Sequence, residues 1–240
     1  GGGGGARGAP PPPPRGGGGG PPRGGAPRPP PRDFTPVEAA RTPQFYALWL
    51  MLFLNVTAGI LFISNAVPIM KELTGEPAKR VLAIYGFIAL FNGLGRFFWG
   101  AVSDRMGRNL AYVLIYGTQV VIFFAVGHVH SIGAVTALFA VVLLDYGGGF
   151  GTMPSFTADY FGTRYMGLIY GWILLAWGVG GIVGPIFVAL VKDHTGSFSG
   201  ALPVIAVMLL VATVLPAVTR RPRRPGDEAR GFPVTGVGNS

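Results

Sequence analysis

Two strongly ionisable side chains, Arg96 and Asp145, lie deep inside long apolar stretches of this 240-residue chain. A charge at the centre of a lipid-crossing helix costs at least about 2.5–3.5 kcal/mol. Such residues normally face a water-filled cavity or a partner. Arg96 offers a planar fork of donors that fits a carboxylate through two parallel hydrogen bonds. An aspartate facing that fork would neutralise it until protonated, so Asp145 is a candidate for coupling anion entry to a proton. At 100° per residue, Tyr85, Ala89, Asn92, Arg96 and Ser103 fall along one helical stripe. The expectation is a cavity wall carrying Arg96, Asn92 and Tyr85. Tyr146 and Phe150 lie four residues apart on a face about 100° or more from Asp145. For that aromatic pair, packing and a substrate wall both stay open.

A second constellation lies in GRFFWGAVSDRMGR, residues 95–108. Gly100, Asp104, Arg105, Gly107 and Arg108 form the pattern G-x-x-x-D-R-x-G-R. A turn this polar between two apolar segments must lie in water while both flanks lie in lipid. Asp104 can pair locally or cap a helix N-terminus there. It is expected to serve gating and packing, not substrate binding, with a natural partner outside this chain.

These residues are carried by an apolar chain. Hydrophobic residues make up 50% and charged residues 12%, about half the charged share of a soluble domain. Six apolar stretches follow one another at about 44–70, 81–101, 109–129, 132–156, 166–190 and 201–219. Each reaches the roughly 20 residues that cross a bilayer core. The fold class expected is an all-α membrane protein with six transmembrane helices. The net charge of +9 sits in flanks and loops, so nucleic acid is not an expected partner. Arginines crowd the segment before the first span, the 102–108 and 158–165 loops, and the segment after the last span. By the positive-inside rule both termini are cytoplasmic, in a multi-pass protein of the cell (plasma or inner) membrane.

An enzyme is not expected. Cysteine is absent, no histidine lies mid-span, and there is no G-x-S-x-G. His128 and His130 at a helix end and His194 in a loop are a weak metal signal, so neither metal nor cofactor is expected. Residues 1–32 are almost all Gly, Pro and Arg and cannot bury a core. Their Arg-Gly-Gly triplets at 15–17 and 23–25 resemble RNA-binding segments, and they suit a basic linker near anionic headgroups at least as well. Thr42 is placed to cap the first span, with Pro43 in its first turn. Three regions follow: a disordered cytoplasmic linker at 1–41, a six-helix transmembrane domain at 42–220, and a cytoplasmic tail at 221–240. On the fifth span Gly167, Gly171, Gly178, Gly181 and Pro185 align within about 80° of arc, and Gly180 and Gly184 form a G-x-x-x-G pair. Close helix packing is the expected use of both.

The G-x-x-x-D-R-x-G-R turn resembles the loop signature of the major facilitator superfamily of secondary transporters. Three blocks narrow the resemblance to its oxalate:formate antiporter family: TPQFYALWLMLFLNVTAGI (42–60), FNGLGRFFWGAVSDRMGR (91–108) and YGGGFGTMPSFTADYFGTRYMGLIYGWILLAWGVGGIVGP (146–185). A major facilitator has two six-helix halves. The resemblance implies that this chain is one half, helices seven to twelve, expected to be a piece of a longer protein with an N-terminal six-helix half as partner. It further implies a carrier of small organic anions working by alternating access. In oxalate-type members an arginine on helix eight and a lysine on helix eleven hold the dicarboxylate. Arg96 matches that arginine, whereas Trp177 stands where the lysine would fall. Tyr146 and Phe150 match the surrounding aromatic wall. One cation suits a monocarboxylate. The alternatives are a half-transporter that needs a partner half and a truncated membrane protein that transports nothing.

Overall fold

The computed structural model describes residues 1–3, 33–196 and 200–223. The Arg-Gly-Gly triplets, most of the expected linker, and the tail from residue 224 onward lie outside the described residues. All the helices belong to the unit formed by residues 31–240.

A short helix, α1 (Pro36–Ala40), precedes the spans. It carries a reciprocal cap: the Glu38 N–H donates to Thr35 Oγ1, and the Thr35 N–H donates to the Glu38 carboxylate. The first span is α2 (Pro43–Thr74), started by Thr42, whose Oγ1 accepts from the Phe45 N–H at 3.3 Å. It ends at Gly75, where φ is 69° and a side chain would be strained. The second span is divided into α3 (Ala78–Ile88) and α4 (Leu90–Met106) by a break at Ala89. Gly107, at φ 90°, turns the chain into α5 (Arg108–Ala125). A short 3-10 turn, Val126–His128, follows. The remaining spans are α6 (Ile132–Phe161), α7 (Met166–Thr195) and α8 (Ala201–Val218). Six helical segments, with α3 and α4 taken together, are long and apolar enough to cross a membrane. They fall within a few residues of the stretches read from hydropathy.

The spans pack as three main pairs: α4 on α6, α2 on α7, and α5 on α8, with α2 also touching α6 and α8. The core is aromatic and aliphatic. Phe62 stacks edge-on against Phe123 and Phe139, and Tyr112 against Tyr116. Burial is uneven. The apolar windows of the first and fourth spans are 56% buried, whereas those of the second and fifth are 17% and 22% buried. The second and fifth spans therefore turn much of their surface outward.

Side-chain bonds tie one end of the bundle together. Asn109 Nδ2, at the start of α5, donates to the carbonyls of Pro216 and Thr219 at the end of α8. The Tyr160 hydroxyl, at the end of α6, also donates to the Thr219 carbonyl. The Phe34 N–H donates to the Phe161 carbonyl, and the Arg164 N–H donates to Asp33. Gly162 is at φ 90°, and a Cβ there would strike the Asp33 carboxylate.

Two packing expectations need correction. The two ends of the stripe from Tyr85 to Ser103 are engaged away from Arg96, although Ala89 keeps helical dihedrals and its N–H donates to the Tyr85 carbonyl at 2.9 Å. Tyr85 donates to the Ile63 carbonyl of α2 at 3.4 Å, while Ser103 is buried at the charged turn. On α7, Gly167, Gly171 and Gly178 face open space. The close approach is made instead by Gly180 and Gly184, against Val56, Thr57 and Ile60 of α2. A glycine stripe states which residues share a face but not which face meets a neighbour.

Candidate functional site

The glycine run of α6 sets the geometry. A Cβ at Gly147 would meet the Asn92 carbonyl, one at Gly148 the Trp99 ring, and one at Gly151 the backbone of Arg96. From the other side, a Cβ at Gly95 would strike the Leu144 carbonyl oxygen. Glycine on both helices lets α4 and α6 lie backbone against backbone. A further approach brings α2 in: Tyr146 packs on Gly59, and Asn55 packs on Gly149. Asn55 Nδ2 donates to the Tyr146 carbonyl at 3.4 Å.

This close packing delivers Arg96 to the aromatic pair. Its guanidinium carbon sits 5.8 Å from the centroid of the Phe150 ring, within range of a cation–π contact. Phe150 meets Tyr146 edge-on, with centroids 5.5 Å apart. Arg96 also interacts electrostatically with Tyr146 and with Tyr170 of α7. The structure thus joins Arg96, Tyr146 and Phe150, with Asn92 one turn before Arg96 and against Gly147. Trp177 lies on α7 and is 53% exposed; Tyr85 is turned to α2. Tyr170 was not anticipated. It stands seven residues before Trp177, on the same helical face, and that spacing was a usable signal.

Among the described residues Asp145 forms no ion pair with Arg96. Its Oδ1 accepts from the Trp99 indole Nε1 at 2.9 Å, and the side chain is 1% exposed. Among the described residues its Oδ2 has no hydrogen-bond partner. The Asn55, Thr57, Asn92 and Thr152 side-chain oxygens are also buried without a partner. These belong to the three helices around the glycine run and to the α2–α7 seam. Polar atoms left unpaired at membrane depth are expensive.

The charged turn closes on itself. Arg108 Nε donates to Asp159 Oδ2 at 3.0 Å, another guanidinium nitrogen pairs with Asp104, and a third contact goes to Ser103 Oγ. Asp104 therefore has a local partner four residues away, the pairing expected of a carboxylate in this turn. Arg105 is exposed, and Gly100 faces open space. Gly107 supplies the positive φ that aims Arg108 back across the turn. Among the described residues, no cluster of three potential metal ligands occurs.

Six apolar spans, a carboxylate-compatible arginine among aromatic side chains and a locked polar turn define a multi-pass membrane protein of the transporter class. The Major Facilitator Superfamily profile matches residues 6–185. The chain belongs to that superfamily, whose members are transporters rather than enzymes. It is 33% identical to the oxalate:formate antiporter of Oxalobacter formigenes over 187 residues, which cover 77% of this chain and 44% of that protein. It is 27% identical over 157 residues to YhjX of Escherichia coli (strain K12), an uncharacterized MFS-type transporter, covering 63% and 38%. It is 32% identical over 153 residues to the zinc induced facilitator-like 1 protein of Arabidopsis thaliana, covering 59% and 30%. The chain spans less than half the length of these relatives.

Proposed function

We propose that this chain forms the helix seven-to-twelve half of a secondary transporter for small organic anions. It would act with an N-terminal six-helix half by alternating access. The observation that carries the reading is Arg96 held over Phe150, beside Tyr146 and within electrostatic reach of Tyr170. A guanidinium braced by aromatic rings keeps its fork open to a carboxylate. The outward surfaces of the second and fifth spans support a second half as partner. Monocarboxylates such as formate, lactate or pyruvate are the preferred substrates in this reading, because Trp177 stands where oxalate carriers place a second cation. Both termini are assigned to the cytoplasm from the arginine distribution. In this reading Asp145 couples transport to a proton, its unpartnered Oδ2 being the oxygen that would carry it.

The test is uptake by proteoliposomes holding this chain together with an N-terminal half. Labelled formate, lactate and oxalate are compared. Monocarboxylate uptake that vanishes in Arg96→Ala supports the reading. Tight oxalate exchange, or full activity in Arg96→Ala, rejects it. A second reading is a membrane protein that transports nothing. Uptake by the 240-residue chain without any added half would reject that reading.

A further inference from the structure

A threonine inside a helix commonly sends its hydroxyl back to the carbonyl four residues earlier. On α6, Thr136 does so to Ile132 at 2.6 Å and Thr157 to Met153 at 2.9 Å. Thr152, on the same helix, does not: its buried Oγ1 has no partner among the described residues. Two more unpartnered oxygens lie on the same face. Asp145, Gly149 and Thr152 follow one another at helical spacing, with neighbours about 5–6 Å apart. The Asn55 amide of α2 fills the space that Gly149 leaves, its Oδ1 2.8 Å from where a Cβ would stand. Asn55 thus meets α6 between Asp145 and Thr152. Its Nδ2 is bonded to the Tyr146 carbonyl, which fixes the orientation of the amide and leaves Oδ1 over. The Trp99 indole holds Asp145 Oδ1 and leaves Oδ2 over. All three residues are 1% exposed or less. The other unpartnered oxygens belong elsewhere: Asn92 packs on Gly147, and Thr57 lies against Gly180.

This face is rich in acceptors. An ionised carboxylate and an amide oxygen can only accept, and a hydroxyl oxygen can do so as well. A full negative charge at membrane depth also calls for one positive charge beside it. A proton on Oδ2 neutralises the carboxylate but serves at most one further oxygen. A small alkali cation takes hard oxygen ligands and serves all three. A divalent ion would leave an excess positive charge, because Asp145 is the one acid in the group. The helices meet closely over Gly148 and Gly149, which favours the smaller ion. We infer that Asp145 Oδ2, Asn55 Oδ1 and Thr152 Oγ1 form a sodium site near the middle of α6. The inference rests on the reading of Asp145 as the coupling carboxylate and adds sodium as the proton's competitor for Oδ2. The groups that meet Asp145 here, Trp99, Asn55 and Thr152, are neutral. Arg96 packs on Gly151, on another face of α6, so the sodium site and the anion site are separate.

The experiment measures binding of radiolabelled sodium to the full 240-residue chain in nanodiscs, with choline keeping the ionic strength constant. Saturable binding is expected. Asp145→Asn keeps an oxygen for the indole and should abolish it. Thr152→Val keeps the shape, removes one ligand and should weaken binding about tenfold. Thr157→Val, on the same helix, removes a hydroxyl already bonded to Met153 and should change nothing. Absence of saturable binding, retention in Asp145→Asn, an equal loss in Thr157→Val, or tighter binding of potassium or calcium than of sodium would each overturn the site. If Asp145→Asn does not insert, undiminished binding in Thr152→Val overturns it alone. The two readings fail separately. Anion uptake through Arg96 by a protein that binds no sodium rejects only the sodium site. Sodium binding that survives where no anion is taken up rejects only the transport reading.

Discussion

The Trp99 indole donates to Asp145 Oδ1 across 2.9 Å, between helices that touch backbone to backbone. The bond lies at the point where Gly148 makes room for the indole ring. An aspartate that is 1% exposed at membrane depth thus has one oxygen satisfied by a neutral donor. It acts as a latch between the second and fourth spans.

Breaking that latch should be costly from one side only. Trp99→Phe leaves both carboxylate oxygens without a donor and should destabilise the bundle by about 1–3 kcal/mol. Asp145→Asn keeps an oxygen for the indole and should be close to neutral. Reversible unfolding in mixed micelles measures both. Equal destabilisation by the two variants would contradict the latch.

The glycines at the α4–α6 seam should tolerate nothing larger. Gly95→Ala would put a methyl on the Leu144 carbonyl, and Gly147→Ala would put one on the Asn92 carbonyl. Backbone cannot swing aside as a side chain can, so each should cost at least about 1–3 kcal/mol. Gly93→Ala and Gly100→Ala, which face open space, should behave as the parent chain. A thermal unfolding series in detergent ranks the four. Loss of stability in Gly93→Ala equal to that in Gly95→Ala would be the contrary result.

Much of this organisation is visible in the residue order because lipid imposes a simple length rule on apolar stretches. The six spans and the charged turn at 102–108 follow from it. The break at Ala89 is not readable, since no proline or other helix breaker marks it. The Trp99–Asp145 bond joins residues 46 apart and the Arg108–Asp159 bridge residues 51 apart. Periodicity within one helix is blind to such pairings. For the same reason the open glycines of α7 and the buried glycines of α6 look alike as sequence. Only the partner helix distinguishes Gly171, which meets nothing, from Gly147, which meets Asn92.

Arg108 should matter more than either of its acids. It is 14% exposed and bridges two carboxylates, whereas Asp104 and Asp159 are 64% and 41% exposed. Partly exposed pairs contribute roughly 0–1 kcal/mol each and weaken with salt. Asp104→Asn should therefore slow transport by the assembled protein with little change in substrate affinity. Arg108→Lys should slow it further, because a single ammonium cannot reach both carboxylates and Ser103 at once. Initial uptake rates against substrate concentration separate the two parameters. A large affinity loss at normal maximal rate in Asp104→Asn would refute a gating role.

Arg96 and Trp177 offer the sharpest test of substrate charge. In the proposed site, Arg96 binds one carboxylate through its fork and Phe150 steadies the guanidinium from one side. Arg96→Lys keeps the charge but loses the fork and the planar face. A charged hydrogen bond is worth about 1.5–3 kcal/mol, so monocarboxylate affinity should fall by about tenfold or more. Trp177 is 53% exposed on a helix that also carries Tyr170 seven residues earlier, on the same face. A second cation placed there would stand on the α7 wall across from Arg96, if the two faces share the cavity of the assembled transporter. Trp177→Lys should then raise oxalate uptake relative to lactate. The double variant Arg96→Ala, Trp177→Lys should bind neither well, since one cation again stands alone and lacks the fork. Competition between labelled lactate and unlabelled oxalate in the four proteins reads out the preference directly. An unchanged oxalate-to-lactate ratio in Trp177→Lys would remove Trp177 from the site and leave Arg96 to be judged on its own variant.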